Sequence, residues 1–230
     1  MFKIFYEDNH VIVVEKPRGV LSQSDGSKMP DMLTELKKYI KIKYDKPGAV
    51  YLGLVHRLDT NTAGVMVFAK TSKAASRLSE SIKKHEMRKK YLAVVSGYVA
   101  PSNTYKTLEN RLIKDEKNRI AKIVTNGGKT ARLEYKSLET IKFHNKDFSL
   151  IDINLLTGRF HQIRAQFSFM NHPLYGDVKY HGEKNKEFFL ALEAYSLTFI
   201  HPVKKEEMTF VNIDKSNIFS LFNKINTETI

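Results

Sequence analysis

FSLIDINLLTGRFHQIRAQF, residues 148–167, changes its period half-way along. In the first half Ile151, Ile153 and Leu155 alternate with Asp152 and Asn154, the period of a half-buried strand. In the second half Ile163 and Phe167, continued by Met170, fall on one face of a helix that begins near Phe160 or His161. Thr157 and Gly158 make the corner between them. Arg159 stands at the helix start and Arg164 one turn in, where a cation opposes the helix dipole, typically by ~0.3–1 kcal/mol. Residues set against a local rule point to function, and the free N–H groups of a helix start suit a phosphate.

Outward from this corner the chain alternates short strands with few helices. VIVVEKP (11–17) reads as a strand closed by proline. In SKMPDMLTELKKYIKIKY, Leu33, Leu36, Ile40 and Tyr44 recur at helical spacing. Strands are expected near 51–55 and 64–69. TSKAASRLSESIKKHE opens with Thr71 as N-cap and puts Ala75, Leu78 and Ile82 on one face. KYLAVVSGYV is a strand, and 101–128 is a polar excursion with short strands at 107–113 and 119–124. TARLEYKSLE precedes the opening strand. Strands at 189–199 and near 207–212 follow, and Ile218, Leu221, Phe222 and Ile225 mark a last helix. Connections too short for helical crossovers imply an α+β domain with a largely antiparallel sheet. No linker divides it, so 1–230 reads as a single domain.

Bulk composition narrows the function classes. With 42% hydrophobic residues, the 230-residue chain is able to bury a substantial core. No run approaches ~18 apolar residues, so no transmembrane helix is expected. The polar N-terminus MFKIFYEDNH is unlike an export signal, and the absence of cysteine fits a reducing cytoplasm. A formal charge of +13 favours a polyanionic partner, nucleic acid first; a lysine-rich solubility surface is the plain alternative. Lysine is the default cation, so each arginine calls for a reason. Without cysteine, HExxH or paired histidines, no metal site is expected. No phosphate-cradling glycine loop and no GxSxG occur either, so neither a nucleotide cofactor nor a serine hydrolase has support.

A second unusual stretch is HRLDTNTAG, residues 56–64. His56, Arg57 and Asp59 crowd between two apolar segments, YLGLV and VMVFAK. They form either a solvated turn with a local ion pair or chemistry on a rigid scaffold.

Taken in order, VVEKPRGVL (13–21), HRLDTNTAG (56–64), KKYLAVVSG (89–97), GKTARLEY (128–135), LLTGRFHQIRAQF (155–167), HPLYGDVKY (172–180) and LTFIHP (197–202) resemble the RluA-type pseudouridine synthases. The resemblance runs from about residue 5 to 212. It implies an α+β pseudouridine synthase fold: a mixed, mostly antiparallel central sheet flanked by helices and loops. It also implies an isomerase acting on uridines of rRNA or tRNA, with no cofactor. On that resemblance Asp59 is the catalytic carboxylate and Arg164 its buried ion-pair partner, a pairing that lysine at 164 would not restore. Tyr91 stacks on the extruded uracil, and its phenol assists proton removal from C5. Arg57 fills the gap left by the base or meets a phosphate, and Ile163 forms an apolar wall. His56, Arg159, His161, Gln162 and Lys90 complete the expected RNA-binding set, and the run KKHEMRKK (83–90) is either a track for the RNA backbone or a solvated helix end.

Three positions depart from the family pattern: Ala63 where serine is usual, His181 where glycine is usual, and Glu193 where histidine is usual. The S4 domain of some members is expected to be absent, since VIVVEKP begins at residue 11. A monomer acting in the cytoplasm is the default. The rival reading is a non-catalytic RNA-binding ribosome assembly factor on the same fold. A base deaminase needs a His/Cys zinc site, which a chain without cysteine does not supply.

Overall fold

The structure, a computed structural model, describes residues 2–184 and 190–226. Along the chain these form β1 (Ile4–Glu7), β2 (Val11–Lys16), α1 (Met32–Lys43), β3 (Gly53–Leu54), β4 (Ala63–Ala69), α2 (Ser72–Lys83), β5 (Arg88–Ser96), β6 (Lys106–Asp115), β7 (Ile120–Val124), β8 (Lys129–Phe143), β9 (Lys146–Leu155), α3 (Gln162–Phe169), β10 (Leu192–Ile200), β11 (Glu207–Val211) and α4 (Asn223–Asn226). The chain divides into two compact units, each discontinuous in sequence. The first holds 1–88 and 194–212, the second 89–193 and 213–230.

In the first unit β1, β2, β4 and the bulk of β10 lie side by side, with β3 on β4 and β11 on β10. The pairs β1–β2, β2–β4, β3–β4 and β10–β11 are antiparallel. Val11, Val13, Val65, Val67, Leu197 and Phe199 project from the strands onto Ala74 and Leu78 of α2. β-branched residues fill a pleated surface well, and the apolar stripe of α2 seals it. Thr71 caps α2 as expected, its hydroxyl accepting from Ala74 N–H. Asp31 caps α1 in the same way through Thr34 N–H. Tyr44, expected on the buried face of α1, is instead its exposed C-cap residue.

In the second unit the strand order is β5-β9-β8-β6-β7, and each neighbouring pair is antiparallel. The polar excursion at 101–128 is the β6–β7 hairpin, built into this sheet through β8. Leu112, Ala121, Ala131, Ala165 and Tyr180 form a core between the hairpin and α3. The α+β class and its flanking helices agree with the sequence reading.

Four local expectations are corrected. The strand at 148–155 is not half-buried: Asp152 is as buried as its neighbours Ile151 and Ile153, because β9 lies between β5 and β8 with Tyr105 over Asp152. The last helix is broken into a 3₁₀ turn at Asn217–Leu221 and the single turn of α4. Phe222 between them is extended, and Leu221 is exposed while Ile218, Phe219, Phe222 and Ile225 are buried. α3 starts at Gln162, later than expected, because His161 is in the left-handed region at φ 49°. The strand expected from 189 begins at Leu192; position 189 lies outside the described residues.

Candidate active site

The HRLD loop of the first unit is held through its backbone groups. Ser22 Oγ donates to the Leu58 carbonyl at 2.9 Å and accepts from the Leu58 N–H at 3.0 Å. The Asp59 carbonyl accepts from Thr62 N–H at 3.0 Å, closing a turn. The Thr60 carbonyl takes Gly19 N–H at 2.9 Å and Lys16 Nζ at 3.0 Å. Arg18 Nη1 donates to the Asn61 carbonyl at 3.2 Å. Four successive carbonyls around Asp59 are therefore tied down, three of them by the KPRGVLS segment. A loop so constrained holds its side chains to a narrow range of positions.

Lys16 completes the clamp from inside. It is fully buried, and its ammonium also donates to the carbonyls of Pro17 at 2.9 Å and Val20 at 2.7 Å. Burial, and then the charge of Arg18, lower its pKa to about 7, while the Asp59 carboxylate pulls the other way. Three carbonyls match the three donors of an ammonium, so the cage accommodates the charged form. His56 is buried, and its Nε2 accepts from Val67 N–H of β4 at 3.2 Å. That bond orients the ring toward the sheet. Arg57 is exposed, and Asp59 is half-buried.

In the second unit Arg164 donates from Nε and Nη2 to the two oxygens of Asp177, both at 2.7 Å. This is the bidentate fork that arginine makes and lysine does not. It also neutralises the cation that the α3 N-terminus disfavours. Arg164 lies 5.0 Å from the centre of the Tyr180 ring. Tyr180 accepts from Ala121 N–H, and its hydroxyl lies 3.0 Å from His161 Nδ1. The tautomer of the neutral His161 ring sets which of the two groups donates. His161 stacks on Phe160, with ring centres 3.8 Å apart. Burial, then the charges of Arg164, Lys179 and Lys114, hold its pKa down at about 3.

The remaining residues of the second unit have mixed surroundings. Tyr91 is buried in β5, opposite Ile153 of β9. Ile163 is buried on α3. Gln162 is internal: its amide oxygen accepts from Thr157 Oγ1 and Arg159 N–H, and its NH₂ donates to the Arg132 carbonyl. It shapes the TGR corner. Arg159 is not in the first turn of the helix as expected but in the preceding loop, exposed, with Nε on the Thr130 carbonyl at 2.9 Å. Lys90 lies 3.4 Å from Tyr105 Oη and 3.6 Å from Asp152. Among the described residues no cluster of three metal-ligating side chains occurs, and no helix is long and apolar enough to cross a membrane.

Sequence reading missed Lys16, Arg18 and Ser22 as supports of the Asp59 loop, and Asp177 and Tyr180 as partners around α3. The patterns EKPRG and GDVKY were visible, but their contacts were not.

With both segments in place, the sequence profile described as RNA pseudouridylate synthase matches residues 10–169, spanning the HRLD loop and α3. The chain belongs to this family. An RNA pseudouridine synthase is an isomerase, and the family fixes that class of activity. An uncharacterized RNA pseudouridine synthase of Bacillus subtilis is 34% identical over 209 residues, 90% of this chain and 67% of the relative. A ribosomal large subunit pseudouridine synthase D of Escherichia coli K12 is 34% identical over 221 residues, 89% of this chain and 64% of its own length. The Neisseria meningitidis protein of the same description is 35% identical, over 98% of this chain and 61% of its own. This pseudouridine synthase chain thus spans about two thirds of the relatives it matches. In fold it resembles the human RNA pseudouridylate synthase domain containing 4. The TM-score is 0.74 at 22% identity, covering 95% of this chain and 90% of that one.

The departures from the family pattern have physical readings. His181 adopts φ 65°, a left-handed conformation that suits glycine and that histidine tolerates better than most residues. A Cβ on the following Gly182 would collide with the Leu174 carbonyl, so that glycine is sterically required. Ala63 is buried at the start of β4. The loop's backbone is gripped by the Ser22 hydroxyl. Glu193 is buried, and its Oε2 accepts from Asp214 N–H at 2.9 Å.

Proposed function

We propose that this chain converts specific uridines of large-subunit ribosomal RNA to pseudouridine, with Asp59 as the catalytic carboxylate. The clamped loop from Leu58 to Asn61 carries this reading: a half-buried acid on fixed backbone suits a reaction that needs one carboxylate in one place. The reaction breaks N1–C1′, turns the uracil, and joins C5 to C1′. The C5 proton is lost and N1 gains one, so nothing is oxidised and no cofactor is required. Asp59 attacks C1′, removes a sugar proton, or adds to the base. The target base is extruded from folded RNA. Tyr91 stacks on it and assists at C5, and Ile163 walls the pocket. Arg57, exposed, fills the space the base leaves or meets a phosphate. His56, Arg159, His161, Gln162 and Lys90 shape or contact the RNA path. Pairing of Asp59 with Arg164 is part of the proposal. The names of the ribosomal relatives and the +13 charge support rRNA as substrate; tRNA is the second RNA to test. Residues 1–230 act as one catalytic module, as a monomer, in the cytoplasm.

The test is tritium release from C5-labelled uridine in rRNA and tRNA taken from cells lacking the protein. Wild type releases tritium from rRNA; Asp59→Asn releases none and binds the RNA as wild type does. Release from tRNA alone would move the substrate. Binding without release by wild type would favour the assembly-factor reading and remove Asp59 from catalysis.

A further inference from the structure

Five of the chain's arginines, at 111, 119, 132, 159 and 164, belong to the second unit, in a protein that otherwise prefers lysine. Residues 106–132 carry eight Lys or Arg against three Asp or Glu. The acids here are already engaged. Asp115 pairs with Lys122 at 2.7 Å and caps Asn118 N–H, Glu116 pairs with Lys114 at 2.7 Å, and Glu109 approaches Arg132 at 3.9 Å. Lys117, Arg119, Lys129 and Lys179 have no carboxylate within ion-pair distance among the described residues, and all are exposed.

These cations sit on a built element. The β6–β7 turn is fixed by the Asp115–Asn118 bonds and by Arg119 at φ 51°. Lys179 reaches the Arg119 carbonyl at 3.5 Å, which places it beside the turn. Below, Lys114 lies 5.1 Å from the centre of the Phe160 ring. His161 responds to the same field: Lys179 and Lys114 are among the charges that keep it neutral. The KKHEMRKK run is different in kind. Its Lys84, Arg88 and Lys90 are each near a carboxylate, at 3.0, 2.8 and 3.6 Å from Glu80, Glu207 and Asp152.

We infer that the tip of the β6–β7 hairpin, through Lys117 and Arg119 with Lys179 beside them, is a docking surface for the phosphate backbone of the RNA. The inference rests on RNA being the substrate. The cations are too exposed to stabilise the fold much, since surface charges contribute little to stability. A polyanion that releases counterions on contact is the partner that makes such a cluster useful.

The experiment measures equilibrium binding of large-subunit rRNA, from cells lacking the protein, across a salt series. Wild type is compared with Lys117→Ala/Arg119→Ala and with Lys28→Ala/Lys41→Ala, which removes equal charge from exposed positions of the first unit. Each lost phosphate contact lowers the slope of log K against log salt by about 0.7 for a single strand or 0.9 for a duplex. The hairpin variant is expected to lose about 1.4 to 1.8 in slope and roughly ten-fold in affinity at low salt. Its single-turnover rate at saturating RNA stays at the wild-type value, and the Lys28/Lys41 variant keeps the wild-type slope. An unchanged slope in the hairpin variant overturns the docking surface, and so does an equal loss in the Lys28/Lys41 variant. A wild type that binds no RNA, or releases no tritium, fails the function itself and is read separately.

Discussion

Gly64 shows how much one residue of the HRLD segment carries. It sits at φ 138°, and a Cβ there would collide with the Ala194 carbonyl of β10. Alanine would meet both backbone strain and a clash that neither strand is free to relieve. Gly64→Ala is expected to lose at least about 2 kcal/mol in urea unfolding and to lower isomerase activity with it. The glycine was legible as part of a motif; its reason, the approach of Ala194, was not. His161 makes a pH-dependent contribution. The unfolded chain binds its proton near pH 6.5, whereas the folded protein does so only near pH 3. Stability therefore falls as pH drops through that window, by about 2 kcal/mol once solvent screening is allowed for. Thermal unfolding of His161→Phe against wild type from pH 7 to 4 would show the slope flatten in the variant. The pairing of Arg164 with Asp177 is the counterpart: sequence reading singled out the arginine as needing a reason, and the second unit supplied one.

Whole elements were legible wherever their apolar period matched a single buried face. α1 and α2 were found from Leu36, Ile40 and Leu78, all buried. What fixes the end of α1 was not legible. Glu7 of β1 takes Tyr39, Lys43 and Tyr44 from the helix and Lys70 from beyond β4. Desolvation raises the carboxyl of Glu7, but these four partners prevail and bring it to about 2. A depressed carboxylate stabilises the fold above its unfolded pKa and loses that contribution as pH falls through its folded value. Glu7→Gln is expected to cost about 1–2 kcal/mol at pH 7, with the gap to wild type closing between pH 4.5 and 2 in calorimetric unfolding. The C-terminal helix was misread for an opposite reason. Its apolar residues follow a helical period, yet they bury themselves through a 3₁₀ turn, an extended Phe222 and one turn of α4. A segment this short has little helical preference of its own, so packing decides its backbone.

At the scale of the molecule, the second unit depends on chain from well beyond its sheet. Ile218, Phe219, Phe222 and Ile225 are buried, and Asn223 and Lys224 bond to Glu139 of β8. Truncation after residue 216 removes all of these. Hydrogen exchange should then show lost protection in β8, while β2 and β4 of the first unit keep theirs. Retained protection in β8 would mean that the four apolar residues add little to the sheet. Charge acts at this scale too. The +13 balance favours a polyanion, and in the 83–90 run Lys84, Arg88 and Lys90 lie near carboxylates.

By itself the sequence determined the α+β class, the order of elements, the family and the residues worth suspecting. These follow from periods and motifs, which are written in neighbouring residues. Only the tertiary structure decided who holds whom. Ser22 grips Leu58 across 36 positions, Lys16 caps Thr60 across 44, and Tyr180 binds Ala121 across 59. Such contacts depend on where strands from distant parts of the chain come to lie, and buried polar groups must find partners there whatever their separation in sequence.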